Sequence, residues 1–90
     1  MIREPSYSPQ VEGVLNTLEA GLDVRLLNAV CDAIDLICDH GDDAQVRREQ
    51  LLTRMDNPVW KVSVRDARHD WFVLWWPHGN VATIYYIGEI

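Results

Sequence analysis

Cationic and acid–base side chains gather in the last third of the chain, where their types could support chemistry on a phosphate. Lys61, Arg65 and Arg68 could stabilise a charged phosphorane, and His69 or His78 could carry a proton. These are the requirements for cleaving RNA through its 2′-hydroxyl group. The two histidines flank opposite ends of one apolar segment, so they could not share a metal ion. The segment between them is rich in tryptophan rather than arginine, which is more typical of a protein-binding surface.

Three apolar segments must position these side chains. Residues 59–65 alternate apolar and polar side chains, which predicts a half-buried strand, whereas residues 70–76 are apolar on both faces. A turn at 77–80 then leads into a third strand over 81–87. Register stays open, because a slip of one residue exchanges the two faces of a strand. Helices would cover one face of the sheet, and the other face would meet the N-terminal arm, residues 42–57 or another molecule.

Two helices are predicted before this sheet. Ser8 and Pro9 are typical of a helix start, and Gly21 ends that helix. Asp23 is the predicted N-cap of a longer helix, which Gly41 would stop in the left-handed conformation. Its predicted apolar stripe consists of Val24, Leu27, Val30, Cys31, Ile34, Ile37 and Cys38. The two cysteines of this stripe are too far apart along one helix for a disulfide, so both are predicted to be reduced core residues.

The resulting fold class is α+β, with an N-terminal helical hairpin packed on one face of a small antiparallel sheet in the order β-α-α-β-β-β. Residues 1–90 are predicted to form a single domain. Residues 1–7 would be an edge strand or an arm. Residues 42–57 would hold either a short third helix or a loop with a brief edge strand near 50–53.

Charge and hydropathy exclude several classes of function. The net charge of −6 should repel nucleic acid at long range, although residues 44–68 carry five arginines and one lysine against three acids. No apolar stretch approaches the roughly 20 residues that span a bilayer, and residues 1–5 do not show the apolar region of a secretory leader, so a cytoplasmic location without a membrane is predicted. Phosphate loops, dinucleotide fingerprints and metal-ligand patterns are missing, so neither a cofactor nor a metal is expected.

Residues 8–90 resemble the RelE/ParE superfamily of toxin–antitoxin toxins. The predicted element order is similar, and so is the strand Val-Trp-Lys-Val-Ser-Val-Arg at 59–65, which corresponds to a Tyr-Lys-Ile-Lys-Leu-Arg pattern in that family. The last strand ends in Ile87-Gly88-Glu89, which resembles a Val-Gly-Lys ending. Residues 28–37 fit the family's second helix. The resemblance implies the RelE-like fold already predicted from the pattern of elements.

The resemblance also implies a set of site residues. Ribosome-dependent members of the family cut mRNA with basic and tyrosine side chains on the open face of the sheet, whereas gyrase-poisoning members keep the fold with a different surface. Lys61 and Arg65 match two basic positions, and with Arg68 and Tyr86 they form the predicted catalytic set. Other positions expected to be basic carry different residues, namely Ser63, Asp70 or Trp71, and Glu89. Whether the chain is an enzyme therefore stays uncertain.

Three functions are compatible with these observations. The first is a toxin component that binds a cognate antitoxin protein through an aromatic sheet face, with nuclease activity weak or lost. The predicted partner-binding residues are Trp71, Trp75, Lys61 and Tyr86. The second is a ribosome-dependent mRNA endoribonuclease, whose partners would be RNA and the ribosome. The third is a dimerising module without a toxin role, which would bind a second copy of this chain.

Overall fold

The computed structural model describes residues 2–21, 23–43, 46–47, 49–52, 57–66, 68 and 70–89. The elements in chain order are β1 (Glu4–Tyr7), α1 (Pro9–Ala20), α2 (Val24–His40), β2 (Glu49–Leu52), β3 (Pro58–Ser63), β4 (Trp71–His78) and β5 (Val81–Glu89). Both helices pack on one side of a single sheet, so the α+β prediction is confirmed. His69, one of the two predicted proton carriers, lies outside the described residues.

The sheet has five strands in the spatial order β1-β5-β4-β3-β2. Neighbouring strands are antiparallel except β1, which runs parallel to β5. The N-terminal segment is therefore an edge strand rather than a free arm. The stretch 42–57 supplies the opposite edge strand, β2, in agreement with the strand alternative and not with the helix over 44–52. The two edge strands bring the sheet to five strands, and the parallel β1 makes it a mixed sheet. A smaller, antiparallel sheet was predicted.

Local capping fixes where both helices begin. The Ser8 side chain accepts a hydrogen bond from the Val11 amide at 3.3 Å, and Pro9 occupies the first turn of α1. The Asp23 carboxylate accepts one from the Leu26 amide at 3.1 Å at the start of α2. Such side chains satisfy amides that have no partner within the helix. Both predicted helix starts are confirmed.

The end of α2 differs from the prediction. Gly41 has φ −62° and ψ −18°, an ordinary right-handed conformation, so the predicted left-handed stop is wrong. A Cβ atom at this position would lie 2.5 Å from the Ile37 carbonyl oxygen, 2.9 Å from the Trp75 ring and 3.1 Å from Arg3 Nη1. Glycine is required here because two side chains pack directly on the backbone.

The helix-side core lies between the helices and the sheet. Its buried members are Val11, Leu26, Val30, Ala33, Ile34, Ile37, Cys38, Val46, Val62, Val64, Val73, Trp75, Ala82, Ile84 and Ile87. The predicted stripe of α2 was partly wrong, because Val24 is 60% exposed and Cys31 is also exposed. Leu26 and Ala33 occupy the core in their place, so the buried face of α2 is rotated relative to the predicted one.

Two arginines and one aspartate join the ends of several elements. Asp42 Oδ1 lies 2.9 Å from Arg3 Nη2 and 3.0 Å from Arg47 Nη2. Arg3 is almost completely buried, and its Nε donates to the Gly79 carbonyl oxygen in the β4–β5 turn at 3.3 Å. The hydrogen bond from Arg3 lowers the pKa of Asp42 below its usual value, and the nearby arginine charges act in the same direction. This cluster fixes the end of α2 to the N-terminal segment and to the turn.

Candidate functional site

Alternate residues of β4 face opposite sides of the sheet. The register pairs Trp60 with Trp75 and Val62 with Val73, and all four pack in or against the helix-side core. The other residues of this strand consequently point away from the helices. The structure thereby selects one of the two registers that the sequence left open.

This register places two predicted partner-binding residues on the wrong side. Trp75 is completely buried in the helix-side core, and Trp71 is a half-buried residue packed against that core. The prediction that these indoles face a partner is therefore wrong. The cause is the one-residue ambiguity of a strand that is apolar on both faces. The tryptophan that does point away from the helices is Trp76.

A bulge in β5 places two consecutive tyrosines on the same side of the sheet. Leu74 pairs with Tyr86, but the next residue, Trp75, pairs with Ile84, so Tyr85 has no partner in the ladder. A bulge of this kind interrupts the alternation of side chains along a strand. Ile84 stays in the core, whereas both tyrosines lie away from the helices.

The two tyrosines pair with aromatic side chains of β4. The rings of Trp76 and Tyr85 have centroids 5.7 Å apart, and those of Phe72 and Tyr86 are 5.5 Å apart. Gly88 makes room for the second pair, because a Cβ atom there would lie 2.8 Å from the Tyr86 hydroxyl oxygen. Tilted aromatic pairs at this separation stabilise one another beyond the area they bury.

Lys61 lies at the edge of this aromatic layer. Its Nζ atom is 5.2 Å from the centre of the Phe72 ring and 3.4 Å from the Glu49 carboxylate. The lysine stem thus covers an aromatic face while its charge is partly balanced by an acid on the neighbouring strand. Tyr86 donates its hydroxyl hydrogen bond to the Glu89 carbonyl oxygen at 3.1 Å.

We use the name open face for the side of the sheet that points away from the helices. It is formed by Leu51, Val59, Lys61, Phe72, Leu74, Trp76, Tyr85 and Tyr86. Val59 and Phe72 are buried although neither belongs to the helix-side core, whereas Leu51 and Tyr85 are about two-fifths exposed, at 41% and 42%. Both described helices contribute to the opposite side, so neither covers this layer. The open face is a second apolar cluster with one side in solvent.

The predicted catalytic set is divided into two pairs. Lys61 and Tyr86 both contact Phe72 on the open face. Arg65 and Arg68 instead line a cavity with Arg25 of α2. The arrangement does not bring the three predicted cations and the tyrosine around one position where a phosphate could react. His78 is exposed at the end of β4, outside both groups.

Several residues of these surfaces were not predicted as site residues. Phe72 and Trp76 alternate along β4 with Trp71 and Trp75. The sequence does not show which of these two sets points away from the helices, because that depends on the strand register. Tyr85 depends on the bulge, which leaves no mark in the hydrophobic pattern. Arg25 is a polar residue of α2 that belongs to no recognisable motif. Only the tertiary fold places it beside the same cavity as Arg65.

The described residues hold no group of three or more His, Cys, Asp or Glu side chains that could bind a metal ion. Within the same part of the chain, neither helix is long and apolar enough to cross a membrane.

Comparisons with known proteins identify no relative that could define the site. No protein-family model matches the sequence, and no match was found among curated proteins or solved structures. The functional argument therefore rests on the contacts and charges described above.

Proposed function

We propose that this chain is a cytoplasmic RelE/ParE-like toxin component that binds its cognate antitoxin protein through the open face. The single observation that carries this proposal is the second apolar cluster, which has aromatic side chains on one side of the sheet and no described helix over it. Apolar clusters that stay in contact with water on a small protein mark interaction sites.

The composition of the open face favours a protein partner over RNA. Aromatic residues are enriched at the centres of protein interfaces and often dominate their binding energy. Lys61 is the one cation among the residues that define this face, and Glu49 lies 3.4 Å from its Nζ atom. The net charge of −6 would also repel a polyanion. A partner segment with apolar side chains fits this surface better than a phosphate backbone does.

The toxin assignment rests on the resemblance of residues 8–90 to the RelE/ParE superfamily, together with the α+β order of elements. The contribution of the structure is to replace Trp71 and Trp75 by Trp76 and Tyr85 in the proposed contact surface. Lys61 and Tyr86 remain in it. The nuclease alternative is not favoured, because its four residues form two separate pairs.

The first experiment tests toxicity and its dependence on the open face. The unmodified chain, expressed alone in a bacterial host, should arrest growth, and co-expression of the small protein encoded beside it should relieve the arrest. The double variant Trp76→Ser and Tyr85→Ser should lose binding to that protein in a pull-down. The matched control is Ile2→Ser, which also removes an exposed apolar side chain but lies outside the sheet.

Each result separates two hypotheses. Retained binding by the open-face double variant would contradict the proposed surface. Growth arrest that persists in the double variant Lys61→Ala and Arg65→Ala argues against ribonuclease activity, whereas loss of arrest together with unchanged folding would revive it. Absence of arrest, with a concentration-dependent dimer in light scattering, would instead support a dimerising module.

A further inference from the structure

A second candidate site lies on the helix side of the molecule. Arg25, Arg65 and Arg68, together with Asp66, line a cavity of about 200 Å³ near the start of α2. Arg25 comes from the first turn of the helix, and the other three residues follow β3. None of these four residues belongs to the open face. The following inference therefore does not rest on the proposed function.

The charges in this cavity are not balanced by the described residues. Arg68 Nη2 lies 2.8 Å from the Asp23 carboxylate, and Arg68 Nε lies 3.8 Å from that of Asp66. Arg25 and Arg65 are exposed and make no ion pair or hydrogen bond with any residue that the structure describes. The three guanidinium groups and the carboxylates of Asp23 and Asp66 therefore sum to a formal charge of +1, and Arg25 and Arg65 are left without an ion pair among the described residues.

We infer that this cavity binds the phosphate group of a phosphate monoester. Such a group carries a charge of about −1.5 to −2 near pH 7 and three acceptor oxygens, so one group can pair with Arg25 and with Arg65 at the same time. Guanidinium groups present planar pairs of N–H donors that match phosphate oxygens, and three such groups can donate to several oxygens at once.

The acidic residues of the cavity have a positioning role. Asp23 and Asp66 hold the Arg68 side chain, and Asp66 Oδ1 also accepts a hydrogen bond from the Arg68 amide at 2.9 Å. A guanidinium that is already held loses less conformational entropy when a ligand binds. Arg68 would therefore be the phosphate contact that is positioned in advance. Arg25 from α2 and Arg65 after β3 would donate to the other phosphate oxygens.

The rest of the ester has an adjacent place to lie. A second cavity of about 430 Å³ shares Arg65 with the first and extends along α2. Ala29, Ala33 and Leu36 give it an apolar wall on one side of the helix, and Asp32, Ser63 and Arg65 complete its lining. An ester with an apolar or aromatic remainder fits this arrangement better than free phosphate does.

Calorimetric titration of the whole chain with phenyl phosphate and with inorganic phosphate tests the inference, with chloride used to match the ionic strength. Phenyl phosphate should bind saturably and more tightly than inorganic phosphate. Arg25→Gln and Arg65→Gln should each weaken its binding about tenfold, the size expected for one charge-assisted hydrogen bond. Because neither side chain has a described partner, circular dichroism should report an unchanged fold.

Lys61→Gln is the matched control, because it removes a cation from the open face and should leave the affinity for phenyl phosphate unchanged. Equal affinity for the two ligands would assign the cavity to free phosphate and overturn the monoester inference. The inference would also fail if the unmodified chain showed no saturable binding. Equal competition by an unphosphorylated acidic peptide would count against it as well. None of these results depends on growth arrest or on the antitoxin pull-down, so failure of one proposal leaves the other intact.

Discussion

Two neighbouring tryptophans of β4 occupy opposite environments. The Trp75 side chain is completely buried beneath the helices, with the Arg47 guanidinium carbon 5.8 Å from its ring centre, whereas the Trp76 side chain is half-buried and pairs with Tyr85 on the open face. The same residue type is therefore enclosed in the helix-side core at one position and partly exposed to solvent at the next. The comparison shows that the two sides of one strand differ in burial, and the proposed contact surface lies on the less buried side.

The largest expected effect distinguishes the two tryptophans directly. Trp75→Ala should lower the free energy of unfolding by about 3–5 kcal/mol, the range for truncating a fully buried aromatic side chain. Trp76→Ala should cost clearly less, because part of its indole is already hydrated. Urea unfolding followed by circular dichroism measures both. Equal losses for the two variants would remove the distinction between the faces.

A second prediction concerns the close packing behind Trp75. Gly41→Ala should destabilise the fold by about 1–3 kcal/mol, because the new methyl group overlaps the Ile37 carbonyl oxygen and the Trp75 ring. The control is Gly13→Ala within α1, where the added Cβ would have no atom within 4 Å apart from its chain neighbours and the adjacent helix backbone. That change should stabilise the protein by about 0.5–1 kcal/mol, since alanine favours a helix over glycine. Thermal unfolding of both variants should therefore shift in opposite directions.

The ion pairs of Asp42 with Arg3 and Arg47 predict that the free energy of unfolding depends on acid pH. The folded-state pKa of Asp42 is lowered, so its contribution is fully present above the ordinary aspartate pKa of about 3.9 and is lost as the pH falls through the lower folded value. Asp42→Asn should therefore lose stability less steeply than the unmodified protein below about pH 5. Denaturant titrations at several pH values test this. Parallel pH profiles would show that Asp42 contributes nothing through its charge.

The smallest expected effect on stability lies on the open face. Tyr85→Ser should lower the free energy of unfolding by about 0.5–1.5 kcal/mol, the size expected for the ring pair that it forms with Trp76. Tyr7→Ser offers a matched tyrosine that packs against the helix-side core, and its loss should be larger. If urea unfolding ranks the two variants the other way round, Tyr85 has a structural role that its exposure does not indicate.

Local signals in the sequence predicted the helices well. Ser8 and Asp23 act through hydrogen bonds to amides three residues further on, so their effect needs no knowledge of the rest of the fold. The sequence correctly predicted that α2 ends at Gly41, but the left-handed conformation given as the reason is wrong. The role of this glycine depends on Arg3 and Trp75, which reach Gly41 from distant parts of the chain.

The candidate sites required tertiary information. The apolar character of β4 on both faces was evident from the sequence, and so was the consequence that one face needs something beyond the helices. Which tryptophan lies on that face depended on a register that apolar alternation cannot distinguish. The arginine cavity joins Arg25 to residues some 40 positions later, at Arg65 and Arg68, and no local pattern links such positions.

The bulge at Tyr85 also has a consequence for how this protein could diverge. Two adjacent positions, 85 and 86, project from the same side, while Ile84 and Ile87 remain anchored within the interior. Substitutions at these two positions could alter the proposed contact surface without disturbing the helix-side core, although they would lose the ring pairs with Trp76 and Phe72. Homologous chains that recognise different proteins would be expected to vary there first, and to retain the flanking isoleucines.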